Sequence, residues 1–139
     1  MRIMSFGDKI NDKKPVPIMM PDIGTVDNLF TTWRMPRRDR DWQVGEVVQV
    51  VYKTRSPQRR VLGTAVILAK TPRLLDSRGW GGSVKGYVGI KHGEAWIDGF
   101  ANAHEMAKWL QDTHGPRYWD EPINILLLGW IERSDDAPR

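Results

Sequence analysis

The sequence predicts an α+β fold: a small mixed or antiparallel β-barrel with a few flanking helices. Three observations predict it. Two valine-rich runs, residues 47–52 and 60–69, lie either side of a short turn; a capped amphipathic helix sits late in the chain; an apolar run over residues 123–131 follows it. Short strands around a common core, with few helices, suit a small barrel. At 139 residues the chain has the size of one ordinary domain with room for a real core.

Residues 3–6 suit a short strand, and residues 9–17, polar and carrying Pro15 and Pro17, read as a loop. Met19 and Met20 form an apolar patch before Pro21 and a turn at Gly24. Val44-Gly45-Glu46 reads as a tight turn into the first valine-rich strand. Ser56-Pro57 marks the turn of a hairpin whose loop is residues 54–59. Residues 76–85 form a glycine-rich loop around Trp80; their spacing matches neither a dinucleotide fingerprint nor a P-loop. A short helix is expected over residues 91–98 and a longer one over 102–114. In the longer helix Asn102 is the N-cap with Glu105 at N3, and Ala103, Met106, Ala107 and Leu110 share one face. Gly115 and Pro116 stop it. The division expected is an N-terminal extension over 1–24, the domain over 25–133 and a polar tail over 134–139.

Composition narrows the function. No apolar run approaches the ~18 residues of a membrane span. The N-terminus lacks the apolar stretch of a signal peptide, and the chain has no cysteine. A cytoplasmic protein with no membrane partner is expected. The net charge of +4 and pI near 9.6 favour a polyanionic partner. The basic residues are clustered: residues 34–60 hold eight Lys or Arg against Asp39, Asp41 and Glu46. Arginine forks grip phosphate in bidentate fashion, so Arg34, Arg37, Arg38, Arg55, Arg59 and Lys53 are candidate nucleic-acid contacts. The competing reading is a solvated surface in which Asp39 and Asp41 pair with neighbouring arginines. Among seven tryptophans, Trp33 and Trp80 are candidate platforms for unpaired bases, while Trp109 and Trp130 are expected to pack. Asp98, before Gly99, is either a turn former or a weak general base and base-edge acceptor. His104-Glu105 begins like a metalloprotease motif, but Lys108 occupies the second histidine's place, so no metal site and no cofactor are expected.

Four segments together resemble the ASCH domain, a branch of the PUA-like superfamily. Thr31-Thr32-Trp33-Arg34 resembles the family's TxR element, which follows an N-terminal helix. Residues 42–48 (WQVGEVV) resemble the entry to its barrel. Asp98-Gly99-Phe100, with the helix after it, resembles its acidic corner, and residues 125–132 its closing strand. The resemblance covers residues 25–132. It implies a PUA-like β-barrel with helices guarding a cleft lined by Thr31, Thr32, Asp98 and Phe100. It also implies binding of RNA or a nucleotide, and the tryptophan platforms point to a single strand in preference. Some members of the family are N4-acetylcytidine amidohydrolases, with the pattern G-x-K-x-x-T-x-R and a glutamate at the corner, and ribonuclease activity is attributed to others. Here Leu29 stands at the lysine position, Asp27 at the glycine position and Asp98 at the glutamate position. The resemblance therefore favours a binding module first. A hydrolase of this type is the alternative, with Thr32, Asp98 and a lysine from elsewhere (Lys53, Lys85 or Lys91). A protein-interaction adaptor, of a kind that would suit a phage, is the third reading.

Overall fold

The computed structural model describes residues 1–14, 16, 18–20, 24–26, 28–75, 89–115, 117 and 121–137. The glycine-rich loop with Trp80, Lys85 and Asp27, and the prolines at 15, 17, 21 and 116, lie outside the described residues.

The valine-rich runs pair as expected. β5 (Val47–Tyr52) and β6 (Arg60–Arg73) form an antiparallel hairpin, and β6 runs four residues beyond the predicted end at 69. A register shift between Val50 and Val51 accommodates a bulge in β5–β6. Gly63, opposite it, has φ +149°, and a Cβ there would stand 2.0 Å from the Glu132 carbonyl oxygen. β7 (Ile123–Arg133) lies along the other side of β6, and β4 (Leu29–Arg34) pairs antiparallel with β7. β1 (Arg2–Phe6) joins β5 in parallel, which no local pattern foretold. The result is one mixed five-stranded sheet in the order β1-β5-β6-β7-β4. A separate two-stranded ribbon pairs β2 (Ile18–Met20) with β3 (Gly24–Val26).

The sheet curls but does not close. Its two edges, β1 and β4, are not hydrogen-bonded as strands. They meet through side chains instead. Phe6 and Phe30 touch edge to face with centroids 6.0 Å apart, and the Arg34 guanidinium donates to the Ser5 carbonyl at 2.6 Å. Met4, Phe6, Phe30, Val50, Ile67 and Leu128 fill the concave side.

The two helices are where the pattern placed them: α1 (His92–Ile97) and α2 (Ala103–His114). The Asn102 side chain accepts from the Glu105 N–H at 2.9 Å, and Gly115 ends α2 at φ +59°. The predicted apolar face of α2 is buried against Trp33, Phe100 and Ile123 in a second core. No helix among the described residues is long and apolar enough to cross a membrane. The resemblance leads one to expect a helix ahead of Thr31-Thr32-Trp33-Arg34. Instead these residues are the body of an edge strand, and the described residues before them hold a 3-10 helix (Asp8–Asp12) and short strands. Their alternation explains this, because Phe30 and Trp33 bury into opposite cores.

Candidate functional site

A cavity of about 500 Å³ opens where β1, β4, the 3-10 helix and the helical layer meet. Ser5, Phe6, Gly7, Asp8, Lys9, Ile10 and Lys13 come from the N-terminal segment; Thr32, Trp33 and Arg34 from β4; Asp98 and Phe100 from the corner after α1; Trp109, Leu110, Thr113 and His114 from α2.

The corner depends on Gly99. Its φ of +103° is poorly suited to any side chain, and a Cβ there would stand 3.1 Å from Asp12 and 3.2 Å from the Lys9 carbonyl oxygen. That close approach brings the 3-10 helix against Asp98. The Lys14 N–H donates to the Ile97 carbonyl at 2.8 Å and fixes the segment there.

The polar wall is a linked cluster. The Lys13 ammonium lies 2.8 Å from Asp98 Oδ1, with the two side chains 7% and 8% exposed. Thr31 Oγ1 donates to the same oxygen at 2.9 Å. Arg34 Nε donates to Thr32 Oγ1 at 3.0 Å, and its guanidinium stacks over Phe6 at 4.4 Å. Burial dominates the electrostatics. It pushes the Asp98 carboxyl above its ordinary range, with Lys13, Thr31 and Arg34 acting against it. It pulls the Lys13 amine down, with Asp98 acting against it. It pulls Arg34 down to about 10, again opposed by Asp98, so Arg34 stays charged at neutral pH. Burial, with Arg117 and Arg34 adding to it, lowers the His114 pKa. Burial thus works against the charged form of both Lys13 and Asp98 while each supports the charge of the other, and shifted groups of this kind recur at functional sites.

The aromatic wall faces this cluster. Phe100 is buried with the Lys9 ammonium 4.7 Å from its ring centre. Trp109 lies 5.7 Å from Phe100 and is 43% exposed at the rim.

The chain matches no protein-family model, no curated protein and no solved structure in such comparisons.

The cavity unites Thr32, Trp33, Arg34, Asp98 and Phe100 from the predicted set, with Thr31 held on Asp98 just behind. It does not include the rest. Trp33 is a core residue, 5% exposed, with the Arg73 guanidinium over its ring, so it offers no open stacking face. Arg37 lies on Asp39 at 3.3 Å and over Trp42. Arg40 reaches Glu46, which already holds Arg2 through two bonds of 2.6 and 2.7 Å. Local pairing thus takes up part of the arginine run, while Arg38 is exposed outside the cavity. Asp41 does not pair with its neighbouring arginines; it takes Lys70 and Asn124. Lys53 does not supply the lysine at Asp98, because it turns to Asp8 at 3.6 Å and Gln58 at 3.1 Å. Lys91 is exposed ahead of α1. Arg55 and Arg59 stand on the hairpin loop, outside the cavity.

Among the cavity residues that were not site candidates in the sequence, Lys13, Phe6 and Trp109 matter most to its walls. Lys13 sits in a polar stretch that reads as loop, with no signal of its own. Phe6 looked like one apolar residue of a strand. Trp109 looked like packing, because it borders the apolar face of its helix, yet it forms the rim. No group of three or more His, Asp or Glu arranged to hold a metal occurs among the described residues.

Proposed function

We propose that this chain is a nucleotide- or RNA-binding module of the PUA-like, ASCH type. In this reading an unpaired base enters the cavity beside Trp109 and Phe100. Its polar edge meets Lys13, Thr32, Arg34 and Asp98. The observation that carries the reading is the meeting of an aromatic wall and a buried Lys–Asp–Thr–Arg cluster in one cavity of about 500 Å³. That volume lies in the range of roughly 300–1,000 Å³ of small-ligand sites, and a few convergent polar groups in an apolar pocket are their usual chemistry. The approach of the two sheet edges through Arg34 and Ser5 supports the barrel-like arrangement that the resemblance implies.

The test is a titration of short single-stranded RNA and of free nucleosides by isothermal calorimetry. Saturable binding is expected. Trp109→Ala weakens it by roughly 5- to 150-fold, the equivalent of ~1–3 kcal/mol per stacked base. No binding by either ligand class overturns the reading.

A specific observation favours a second reading, hydrolysis of an acylamide on a nucleobase. Leu29 stands where the family pattern has lysine, but Lys13 brings an amine to Asp98 from another part of the chain. In this reading Lys13, its own proton passed to Asp98, takes a proton from water as the water oxygen bonds to the acyl carbon, and Arg34 donates to the developing oxyanion. The C–N bond then breaks as the leaving nitrogen takes that proton back, giving the free amine and the carboxylic acid, which ionises to the carboxylate. Release of acetate from N4-acetylcytidine, lost in Lys13→Met, supports this reading; unchanged substrate after prolonged incubation removes it.

A further inference from the structure

A second groove adjoins the cavity. It has a volume of about 650 Å³ and is lined by Ser5, Phe6 and Gly7, which it shares with the cavity, and by Lys53, Thr54, Arg55 and Ser56. The turn that forms its far wall is fixed to the end of β1. The Lys53 N–H donates to the Phe6 carbonyl at 2.9 Å, and Thr54 Oγ1 donates to Ser5 Oγ at 2.8 Å. Lys53 itself adopts φ +47°, a left-handed conformation uncommon for a residue with a side chain, so the turn is held in shape against its local preference.

The charges at this junction are uneven. Asp8 is the acid here, and it is already engaged by the Tyr52 hydroxyl and by Lys53 at 3.6 Å. Arg55 is exposed and forms no ion pair among the described residues. On the cavity side of Ser5, the Arg34 guanidinium holds the Ser5 carbonyl. Arg34 on the cavity side and Arg55 on the groove side thus stand either side of the end of β1. The arginines at 37 and 40, by contrast, are met by Asp39 and Glu46.

We infer that this groove is a phosphate subsite, and that the ligand of the cavity is a nucleoside phosphate whose phosphate is gripped by Arg55 on the β5–β6 turn rather than by Arg37, Arg38 and Arg40. The inference rests on the nucleotide-binding reading of the cavity and adds where the phosphate goes. A guanidinium without a competing carboxylate gives its full fork to a phosphate. A single strand and a free nucleotide share this chemistry.

The experiment titrates three probes, cytidine, cytidine monophosphate and a cytidine tetranucleotide, into the wild type, Arg55→Glu and Arg38→Glu, following the Trp109 indole N–H by NMR. The expected result is that cytidine binds all three proteins alike. Arg55→Glu weakens the monophosphate at least about tenfold, the loss of one charge-assisted hydrogen bond, and Arg38→Glu leaves it within twofold. A tetranucleotide binding much tighter than the monophosphate identifies a strand as the source; equal affinity identifies a free nucleotide. Cytidine and its phosphate binding equally tightly, or Arg38→Glu weakening the phosphate as much as Arg55→Glu, overturns the inference and leaves the cavity reading standing. No shift of Trp109 with any probe overturns the cavity reading itself.

Discussion

The Lys13–Asp98 ion pair lies in the polar wall of the cavity. Both groups are nearly sealed from water, so removing one leaves the other as an uncompensated buried charge. Asp98→Ala is expected to destabilise the fold by about 3–5 kcal/mol in urea denaturation, and Lys13→Met combined with Asp98→Leu to recover most of that loss. Additive effects in the double variant would show that the two groups do not act as a pair. Asp41 makes a second residue-scale prediction. Burial raises its pKa, but Lys70, Asn124 and the N–H groups of Arg37 and Trp42 outweigh burial and hold it at about 2, below the ordinary 3.8. Its folded pKa is depressed, so its stabilisation is present above pH 4 and is lost as pH falls toward 2. The wild type should exceed Asp41→Asn by about 2 kcal/mol at pH 6, and that gap should shrink between pH 4 and pH 2. A gap independent of pH would contradict the assignment. At this scale the sequence was only partly legible. Thr32, Arg34 and Asp98 stood out through their motifs. Lys13 did not, because its role comes from a contact with a residue far along the chain.

At the scale of elements, the hairpin and both helices were legible because their signals are local: a turn between β-branched runs, and an N-cap before a 3.6-residue period. The parallel pairing of β1 with β5 was not, since no local pattern encodes a partner across forty residues. Nor was the edge-strand role of residues 31–34, where a motif carried by resemblance displaced the plainer β-pattern of Leu29–Arg34. The corner at Gly99 joins the two kinds of information. Its Asp-Gly sequence announces a turn, but only the fold shows that the missing side chain lets the 3-10 helix approach. Gly99→Ala should therefore destabilise the protein by more than about 1 kcal/mol, through both its positive φ and its contact with Asp12. It should also loosen the 3-10 helix, read as faster amide exchange at Lys14. Unchanged exchange would mean that the corner tolerates the methyl group without moving its neighbour.

Across the whole molecule, the α+β class followed from the order of the elements, while the sheet leaves its edges unpaired where a small barrel was expected. The division of labour among the arginines emerged only in three dimensions. Along the chain, Arg34 to Arg40 form one basic run. In space Arg34 belongs to the cavity, Arg37 and Arg40 meet acids, and the hairpin arginines stand beside a separate groove. On the proposed function the cavity, and not the arginine run, receives the base. Photo-crosslinking of a short single-stranded RNA carrying 5-iodouridine, mapped by mass spectrometry, tests it most directly. Crosslinks to Trp109, Phe100 or Phe6 are the predicted result. Crosslinks confined to residues 37–42, or an RNA that crosslinks nowhere on the protein, would contradict the account.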